Sequence, residues 1–482
     1  MEKRSFGKKK IRNILFVRTF QKLHNVGIAP PLGLLYLASF LRRTFGNDLV
    51  LKVVDMKIEG YTPHDMVGIF ESFQPDIIAC SVCTDEDACM REVARLAKIY
   101  APGCFVVVGG PHASMYYNEI LECRDIDCAI IGEGERTFSD LVRALGNDDD
   151  FNTIRGIAVL KDTTVVRTPV QPFIDDLDEI PFPAWDLIDI DRYSHCGVLL
   201  MNTMLAGRRY MGVFTSRGCP YQCVFCHNIF GKSWRKRSAE NVFAEIKVLH
   251  DTYGVDEIHF FDDIFNLDRE RVKKICDLII QDGMHVRLAF PNALRADILD
   301  RETVLKLKEA GAYAITFALE TSSVRLQKML HKNIDLDVLS EMIVYSSKIG
   351  LLTKCYTMLG FPTETEEEMT GTIDFVCNLP LEAASFFVVT PQKGTPMYAM
   401  IQCMFPDFSV NFNQYNYYMP NNRYEKLLGL PISQFQRKAY RKFFFNIPRL
   451  LRLWRKTPRK EYLFRCLGPF CSRVVSILSR EK

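Results

Sequence analysis

Short β-branched runs that alternate with helix-length segments constrain this chain more than any other feature. Between residues 11 and 161 the runs IRNILFV, LVLKVVD, DIIACSV, CFVVVGG and CAIIGEG each end in Gly, Asp or Ser, and helical patterns such as 32–45 and 87–100 separate them. Near-continuous apolar runs suit strands buried on both faces, and the helices between them supply the crossovers of a parallel sheet. The pattern predicts an α/β fold, a Rossmann-like doubly wound sheet. Ligands on such sheets bind outside the carboxyl ends of the strands, so the informative loops are 82–87, Gly109-Gly110-Pro111-His112-Ala113-Ser114 and Gly132-Glu133-Gly134-Glu135. Their glycines allow a tight turn or the close approach of a large ligand. A dinucleotide fingerprint is excluded, because no G-x-G-x-x-G follows the first strand.

The alternation resumes after residue 205. Strand-like runs at 211–215, 257–262, 286–291, 314–319, 353–358 and 384–389, with helices such as 239–253 and 269–281 between them, predict six parallel strands in a partial (β/α)6 TIM-like barrel. Between the two regions lies QPFIDDLDEIPFPAWDLID, whose prolines forbid a long helix and predict an extended linker. The resulting organisation is a first domain over 1–165, a linker over 166–205, a barrel over 206–400 and a mainly helical, basic and aromatic extension over 401–482.

With 48% hydrophobic and 25% charged residues among 482, the composition excludes disorder and coiled coil. The net charge of +3 conceals an asymmetry: the last fifty residues carry +12 and the remainder −9. No run approaches the roughly 18 apolar residues of a spanning helix, and the start MEKRSFGKKKIRN lacks a secretory cleavage pattern. These features place the protein in the cytoplasm, where sixteen cysteines read as thiols and metal ligands rather than disulfides.

Cys219, Cys223 and Cys226 stand at C-x3-C-x2-C spacing in TSRGCPYQCVFCHN. Thiolates are soft ligands favoured by iron–sulfur clusters, and three on one loop hold three corners while leaving a fourth open. A zinc site wants four protein ligands, and His227, adjacent to Cys226, is badly spaced to be the fourth. Cys80 and Cys83, at redox-like spacing, straddle a strand end and are expected to be packing thiols; nothing in the spacing of Cys403, Cys466 and Cys471 recommends a second cluster.

The triplet and its surroundings over residues 205–395 resemble the radical S-adenosylmethionine superfamily. That resemblance implies a [4Fe-4S] cluster on Cys219, Cys223 and Cys226, with S-adenosylmethionine bound at the open iron and cleaved to a 5′-deoxyadenosyl radical, and an electron donor such as flavodoxin or ferredoxin. It also implies roles at strand ends: Asp262 and Asp263 near the amino end, Asn292 and Arg295 for ribose and carboxylate, Glu320 for ribose hydroxyls, and Phe225, Gly360 and Pro362 at the adenine. Asp263 and Glu320 also suit helix caps, and Arg295 a surface pair with Asp297. PPLGLLYLA, GGPHAS and IIGEGE together resemble the cobalamin-binding domain of class B members of that superfamily, implying that Ser81, Thr84, Gly109, Gly110, Pro111, His112, Gly132, Glu133 and Gly134 line a corrin site. The D-x-H-x-x-G of classical corrinoid proteins is missing; its nearest match, Asp55-Met56-Lys57-Ile58-Glu59-Gly60, follows the second strand and has Lys57 for His, so no protein imidazole is assigned to cobalt. The family resemblance implies a methyltransferase acting on an unactivated carbon of a small molecule, with an oxidative cyclase of the magnesium-protoporphyrin monomethyl ester type as the alternative and a non-catalytic cobalamin or cluster sensor as a third reading.

The tail reads RKAYRKFFFNIPRLLRLWRK over 437–456. Tyr440, Phe443, Phe444 and Ile447 recur at helical spacing, and beyond Pro448 the residues Leu450, Leu451 and Trp454 alternate with arginines. Two readings stay open: peripheral contact with an anionic inner membrane surface, which points to a hydrophobic or lipid-like substrate, or packing on the acidic body to cap the barrel. Nucleic acid is not expected, since no RNA-binding module is visible.

Overall fold

The computed structural model describes residues 10–20, 29–195, 206–226, 229–409, 422–461 and 463. They divide into two compact units, the first built on Pro30–Arg192 with the strand that precedes it, the second on the residues from Tyr193 onward.

In the first unit the elements run β1 (Asn13–Arg18), α1 (Leu32–Phe45), β2 (Val50–Asp55), α2 (Met56–Glu59), α3 (Val67–Phe73), β3 (Ile77–Ser81), α4 (Asp87–Tyr100), β4 (Phe105–Gly109), α5 (Pro111–Leu121), β5 (Cys128–Ile130), α6 (Glu135–Asn147), β6 (Ile157–Lys161) and β7 (Thr164–Arg167). The sheet order is β2-β1-β3-β4-β5-β6-β7, with the first five strands parallel. Strand alternation explains why both faces of β1 are apolar. Ile14 and Phe16 pack with Leu34, Ala38 and Leu41 of α1 and Phe138 and Leu141 of α6. Leu15 and Val17 face the other way, into a cluster with Met90, Val93 and Ala94 of α4. Each of these side chains other than the two alanines contributes about 1.5–3 kcal/mol relative to exposure.

The sequence pattern did not reveal the antiparallel hairpin β6–β7, which extends the sheet beyond β5. Its turn, Asp162-Thr163, is not a strong hairpin signature, although Asp162 adopts the left-handed φ of 53° that such a turn requires. After the hairpin the proline-spaced segment packs on the same unit. Ile174 N–H donates to Glu133 (3.2 Å), Ala184 N–H to the Leu35 carbonyl (3.2 Å), and Trp185 is buried. The short helix α7 (Ile190–His195) follows.

The second unit runs β8 (Tyr210–Val213), β9 (Ser216–Arg217), β10 (Arg235–Lys236), α8 (Ala239–Tyr253), β11 (Glu257–Phe260), α9 (Arg269–Asp282), β12 (Arg287–Ala289), α10 (Arg301–Glu309), β13 (Ala314–Glu320), α11 (Val324–Met329), α12 (Leu336–Lys348), β14 (Leu352–Leu359), α13 (Glu366–Asn378), β15 (Ala383–Val388) and α14 (Pro396–Met404). Strands β8, β11 and β12 form one parallel sheet and β13, β14 and β15 another. Parallel bridges Leu288–Ala312 and Leu294–Phe317 join them, so six strands form the partial barrel that the alternation predicts. Side-chain caps set where the helices start: Ser238 on α8, Asp268 on α9, Asp300 on α10, Ser323 on α11, Asp335 on α12 and Thr365 on α13. Asp263 and Glu320 therefore do not cap.

Three further helices, α15 (Asn422–Leu428), α16 (Ile432–Phe444) and α17 (Ile447–Lys456), belong to the same unit. Pro448 lies in the first turn of α17, where its missing N–H costs nothing, and Asn446 caps that turn. On α16, Gln436 donates to the Phe386 carbonyl of β15 at 2.7 Å. Arg449 is buried and donates to the carbonyls of Leu381, Cys377 and Phe443 at 2.9, 2.8 and 2.5 Å; Lys456 pairs with buried Glu382 at 2.9 Å. Two of the tail's cations thus serve the barrel. Among the described residues no helix is long and apolar enough to cross a membrane.

Gly311 lies where the two halves of the barrel meet. Its carbonyl accepts from Leu288 N–H (3.1 Å), its φ is 110°, and an added Cβ would lie 2.0 Å from the Val286 carbonyl oxygen. Gly311→Ala is expected to lower stability by about 1–3 kcal/mol, the usual cost of overpacking, read as a lower urea midpoint; an unchanged midpoint contradicts this account of the joint.

Candidate functional site

The cysteine loop is bracketed by the antiparallel pair β9–β10, in which Arg217 faces Arg235. Gly218 makes the exit from β9 possible: φ is 84°, and a Cβ there would lie 2.4 Å from the Ser233 carbonyl oxygen. Cys219 N–H donates to Gly231 O (3.4 Å) and Cys226 N–H to Cys223 O (3.2 Å). The far side of the loop rests on the α11–α12 connection, where Val224 N–H donates to Leu330 O (3.0 Å) and the Cys223 thiol to His331 O (3.8 Å). Desolvation holds all three thiols above the ordinary thiol range; for Cys226, with Asp263, Cys223 and Cys219 adding to the effect, the value reaches about 12. Three soft donors that sense one another's charge on one short loop fit a cluster that compensates their deprotonation. His227 lies outside the described residues, and among those described no group of three or more His, Cys, Asp or Glu converges on one metal ion.

The strand ends bring the predicted S-adenosylmethionine set to the same end of the barrel, but its members differ in what they present. Asp262 is buried, and its carboxylate accepts from Thr215 N–H (3.1 Å), Thr215 Oγ1 (2.7 Å) and Ser216 Oγ (2.5 Å). It pins the start of the cysteine loop and is not a ligand-facing acid, which corrects its expected role. Asp263 is the member that faces the loop: Gly218 N–H donates to it, and burial followed by Asp262 pushes its carboxyl up to about 6.

Asn292 donates to the Phe261 carbonyl at 2.7 Å. Arg295 pairs with Asp297 (2.8 Å), donates to Lys332 O (3.0 Å) and stacks over the Tyr221 ring at 3.7 Å. Those bonds turn it toward the α11–α12 connection, and the pair is partly buried rather than the surface contact offered as its alternative.

Glu320 is buried at the end of β13, at φ 66°, with Lys332 Nζ 3.2 Å from its carboxylate. Gly360 has φ 91°, donates to Glu364 (2.6 Å) and accepts from Tyr424 Oη (2.9 Å); a Cβ there would strike Ile432 at 2.4 Å. Burial raises Glu364 to about 7. Phe225 meets Phe361, between Gly360 and buried Pro362, with ring centroids 6.0 Å apart.

The sequence reading missed Lys332, Tyr221, Glu364 and Tyr424. None belongs to a spaced motif. Their signal is conformational: of the eight described non-glycine residues with positive φ, three (Ala293, Glu320 and Thr363) lie at strand ends of the barrel and two (His331 and Asn333) in the α11–α12 connection that touches the cysteine loop. Such strain persists only where the surroundings over-determine it, and it gathers at working sites.

In the first unit the loops after β3, β4 and β5 lie side by side, because those strands are neighbours. Gly110, at φ 94°, leaves room beside Ser81: a Cβ would sit 3.2 Å from Ser81 Oγ and from the Val82 backbone. Ser114 links two loops, donating to Gly110 O (3.1 Å) and accepting from Gly132 N–H (3.0 Å). Gly109, Pro111, Gly132 and Gly134 stay partly exposed along this row, as do Ser81 and Thr84, which opens a one-turn 3-10 segment.

Two expected corrin contacts are corrected. His112 is fully buried, with Nε2 3.0 Å from Asp87 Oδ1 and its ring against Tyr116. Glu133 is buried and accepts from Ile174 N–H. Both brace loops from inside. The Asp55–Gly60 run is an Asp-capped turn closed by Gly60 at φ 70°, which accounts for its motif-like spacing. Cys80 is a core thiol as expected, but Cys83 is exposed on its loop. Cys403 is exposed on α14; Cys466 and Cys471 lie outside the described residues.

Buried Glu86, beneath this row, accepts from Cys83 N–H (2.9 Å) and Thr19 Oγ1 (3.3 Å). Desolvation pushes it up to about 7, against the pull of Arg18. The folded chain therefore keeps a proton that the unfolded chain releases near its ordinary 4.5. Stability from this group is full below that value and falls as pH rises to about 7. Glu86→Gln is expected to lose less stability than wild type between these limits, measured by urea unfolding of the N-terminal unit; parallel pH profiles refute the assignment.

Comparison with known proteins follows the same division. The B12 binding domain family matches residues 23–142 and the Radical SAM superfamily matches residues 213–376. An uncharacterized methyltransferase of Pyrococcus horikoshii is 34% identical over 427 residues, covering 88% of this chain and 89% of that protein. The anaerobic magnesium-protoporphyrin IX monomethyl ester cyclase of Rubrivivax gelatinosus is 26% identical and covers 92% of this chain and 78% of its own. Among solved structures, the radical S-adenosylmethionine methyltransferase TsrM of Kitasatospora setae, with cobalamin and a [4Fe-4S] cluster bound, superposes with a TM-score of 0.65 at 18% identity, covering 80% of this chain and 74% of that one.

Proposed function

From the premise that this chain belongs to the cobalamin-dependent radical S-adenosylmethionine enzymes, we propose that it transfers a methyl group to an unactivated carbon of a small hydrophobic or lipid-like molecule. The observation that carries this reading is the presence in one chain of a three-thiol loop at the mouth of a parallel barrel and of a row of glycine-bearing loops at the ends of the parallel strands of another sheet. When bound, the cluster and S-adenosylmethionine supply radical chemistry, and cobalamin supplies the methyl group.

The chain's own residues bind and orient. Cys219, Cys223 and Cys226 hold three corners of the cluster, on a loop that Asp262 anchors through Thr215 and Ser216. Asp263 and Glu320 offer carboxylates for the amino group and ribose of S-adenosylmethionine, Asn292 adds a polar contact, and Phe225 with Gly360 and Pro362 forms an apolar wall for adenine. Ser81, Thr84, Gly109, Gly110, Pro111, Gly132 and Gly134 receive the corrin. A small-molecule substrate and an external electron donor complete the reaction.

The cyclase reading keeps both cofactors and is supported by the cyclase relative's coverage of nearly the whole chain. Methylated product with S-adenosylhomocysteine favours methyl transfer; a new ring without either favours cyclisation. In anaerobically reconstituted protein, serine replacement of the three cysteines is expected to abolish both bound iron and 5′-deoxyadenosine release. Retention of both in the triple variant defeats the assignment.

The reading extends to a cytoplasmic enzyme that touches the inner membrane surface. Five of the fifteen exposed large hydrophobic residues described (Phe445, Ile447, Leu450, Leu451 and Trp454) fall within ten positions of the tail. The buried residue of α17 is Arg449, so this helix turns a cation inward and its apolar side outward. Lys438 and Arg441 on α16 and Arg455 on α17 are exposed, and cations in this stretch complement an anionic surface. Full-length protein is expected to float with phosphatidylglycerol vesicles but not with neutral ones, and a variant carrying Leu450→Ser, Leu451→Ser and Trp454→Ser is expected to stay behind. Equal flotation of the two proteins removes the membrane contact.

A further inference from the structure

The connection between α11 and α12 supports the cysteine loop through an unusual backbone. His331 and Asn333 both adopt left-handed φ, 53° and 48°, although neither is glycine. Each such residue costs about 1–3 kcal/mol and needs its surroundings to hold it. Here they do. Gln327 accepts from Lys332 N–H (3.1 Å) and Asn333 N–H (3.3 Å) through its main-chain carbonyl, and its side-chain oxygen accepts from Ile334 N–H (3.1 Å). Arg295 donates to the carbonyls of Lys332 and Asn333 at 3.0 and 3.3 Å.

The two strained residues flank Lys332 and carry its side chain inward. That side chain is only 11% exposed and pairs with Glu320 at 3.2 Å, on a residue that is itself in the left-handed region. A lysine needed only for a solvated surface pair requires none of this, because such pairs contribute little and tolerate any backbone. Burying an ammonium costs several kcal/mol unless it is well compensated.

What the connection touches gives the position its meaning. Leu330 O and His331 O, the two carbonyls before Lys332, accept from Val224 N–H and the Cys223 thiol. The surroundings of the triplet are asymmetric. Lys332 is the foremost charge acting on Cys223, ahead of Glu320, Arg295 and Lys232, whereas Asp263 is the foremost charge at Cys219 and Cys226, where Lys232 and Lys332 respectively come last.

We infer that Lys332 is an electrostatic positioning residue for the corner held by Cys223, its fixed ammonium favouring the negative charge that one electron from the external donor brings to that site. The inference rests on the reading that the cysteines hold a cluster. Its chemistry is a charge effect: the electron enters, no proton moves, and no bond is made or broken. Fixed charges and hydrogen bonds around the ligating sulfurs are established levers on cluster potential. Glu320 works against the lysine, so the two side chains have opposite predicted signs.

The test is an anaerobic redox titration of the full-length, reconstituted protein without S-adenosylmethionine, followed by electron paramagnetic resonance. Lys332→Met is expected to keep wild-type iron and sulfide content while its midpoint potential moves lower. Lys332→Arg is expected to restore the wild-type value, and Glu320→Gln to move it higher. Wild-type protein that holds no iron refutes the parent reading and not this step. With a cluster present, unchanged potentials in Lys332→Met and Glu320→Gln overturn the inference. So does an unchanged potential with weakened S-adenosylmethionine binding in Lys332→Met, which makes the lysine only a ligand contact. Should Lys332→Met lose its iron, Glu320→Gln decides alone, and a potential that stays or falls there overturns the proposal.

Discussion

Parallel strands all point their carboxyl ends the same way, and most of the chemistry in this protein depends on that constraint. A strand followed by a right-handed crossover helix must leave its loop at one edge of the sheet. In the first unit this gathers the loops after β3, β4 and β5 into a row. In the second it gathers Asp263, Asn292, Glu320 and Gly360, from four different strands, around the loop that leaves β8 through β9. Residues up to about 140 positions apart become neighbours without any local signal that links them.

At the barrel mouth, buried charge is arranged in layers. Asp262 is wholly engaged by Thr215 and Ser216 and sets the exit of the cysteine loop, while Asp263, one residue on, faces the thiols. Across the loop, Arg295 binds the backbone that carries Lys332, and Lys332 meets Glu320. Removing one partner from such a network leaves an uncompensated charge, so these groups act as a unit. The basic tail has a similar logic: Arg449 satisfies carbonyls at the end of α13 and the approach to β15, and Lys456 neutralises buried Glu382. On α17 the cations Arg449 and Lys456 cap the barrel while Ile447, Leu450, Leu451 and Trp454 are exposed.

Much of the architecture was legible because period carries it. Buried runs such as FVVVG and AITFALE cannot be soluble unless covered on both sides, and an Asp or Ser cap stands before each of α8 to α12. The β6–β7 hairpin escaped, since an edge pair needs little apolar surface and its Asp-Thr turn is a weak signal. Within the site, residue type was legible and direction was not. Two adjacent aspartates look alike in sequence, yet one braces a loop and the other faces it. His112 and Glu133 sit in the expected loops but point into the fold, and Lys332 stood in no motif at all.

The sequence alone determined that two parallel α/β systems exist, that a three-thiol loop follows the first barrel strand, and that the tail is basic, because these are matters of composition, period and spacing. Only the tertiary structure decided which strand-end groups remain available and which are consumed as braces, because availability depends on hydrogen bonds between residues distant in the chain. It also decided that α17 buries Arg449 and exposes Leu450 and Leu451, since the carbonyls of Leu381 and Cys377 that receive Arg449 are distant in the chain.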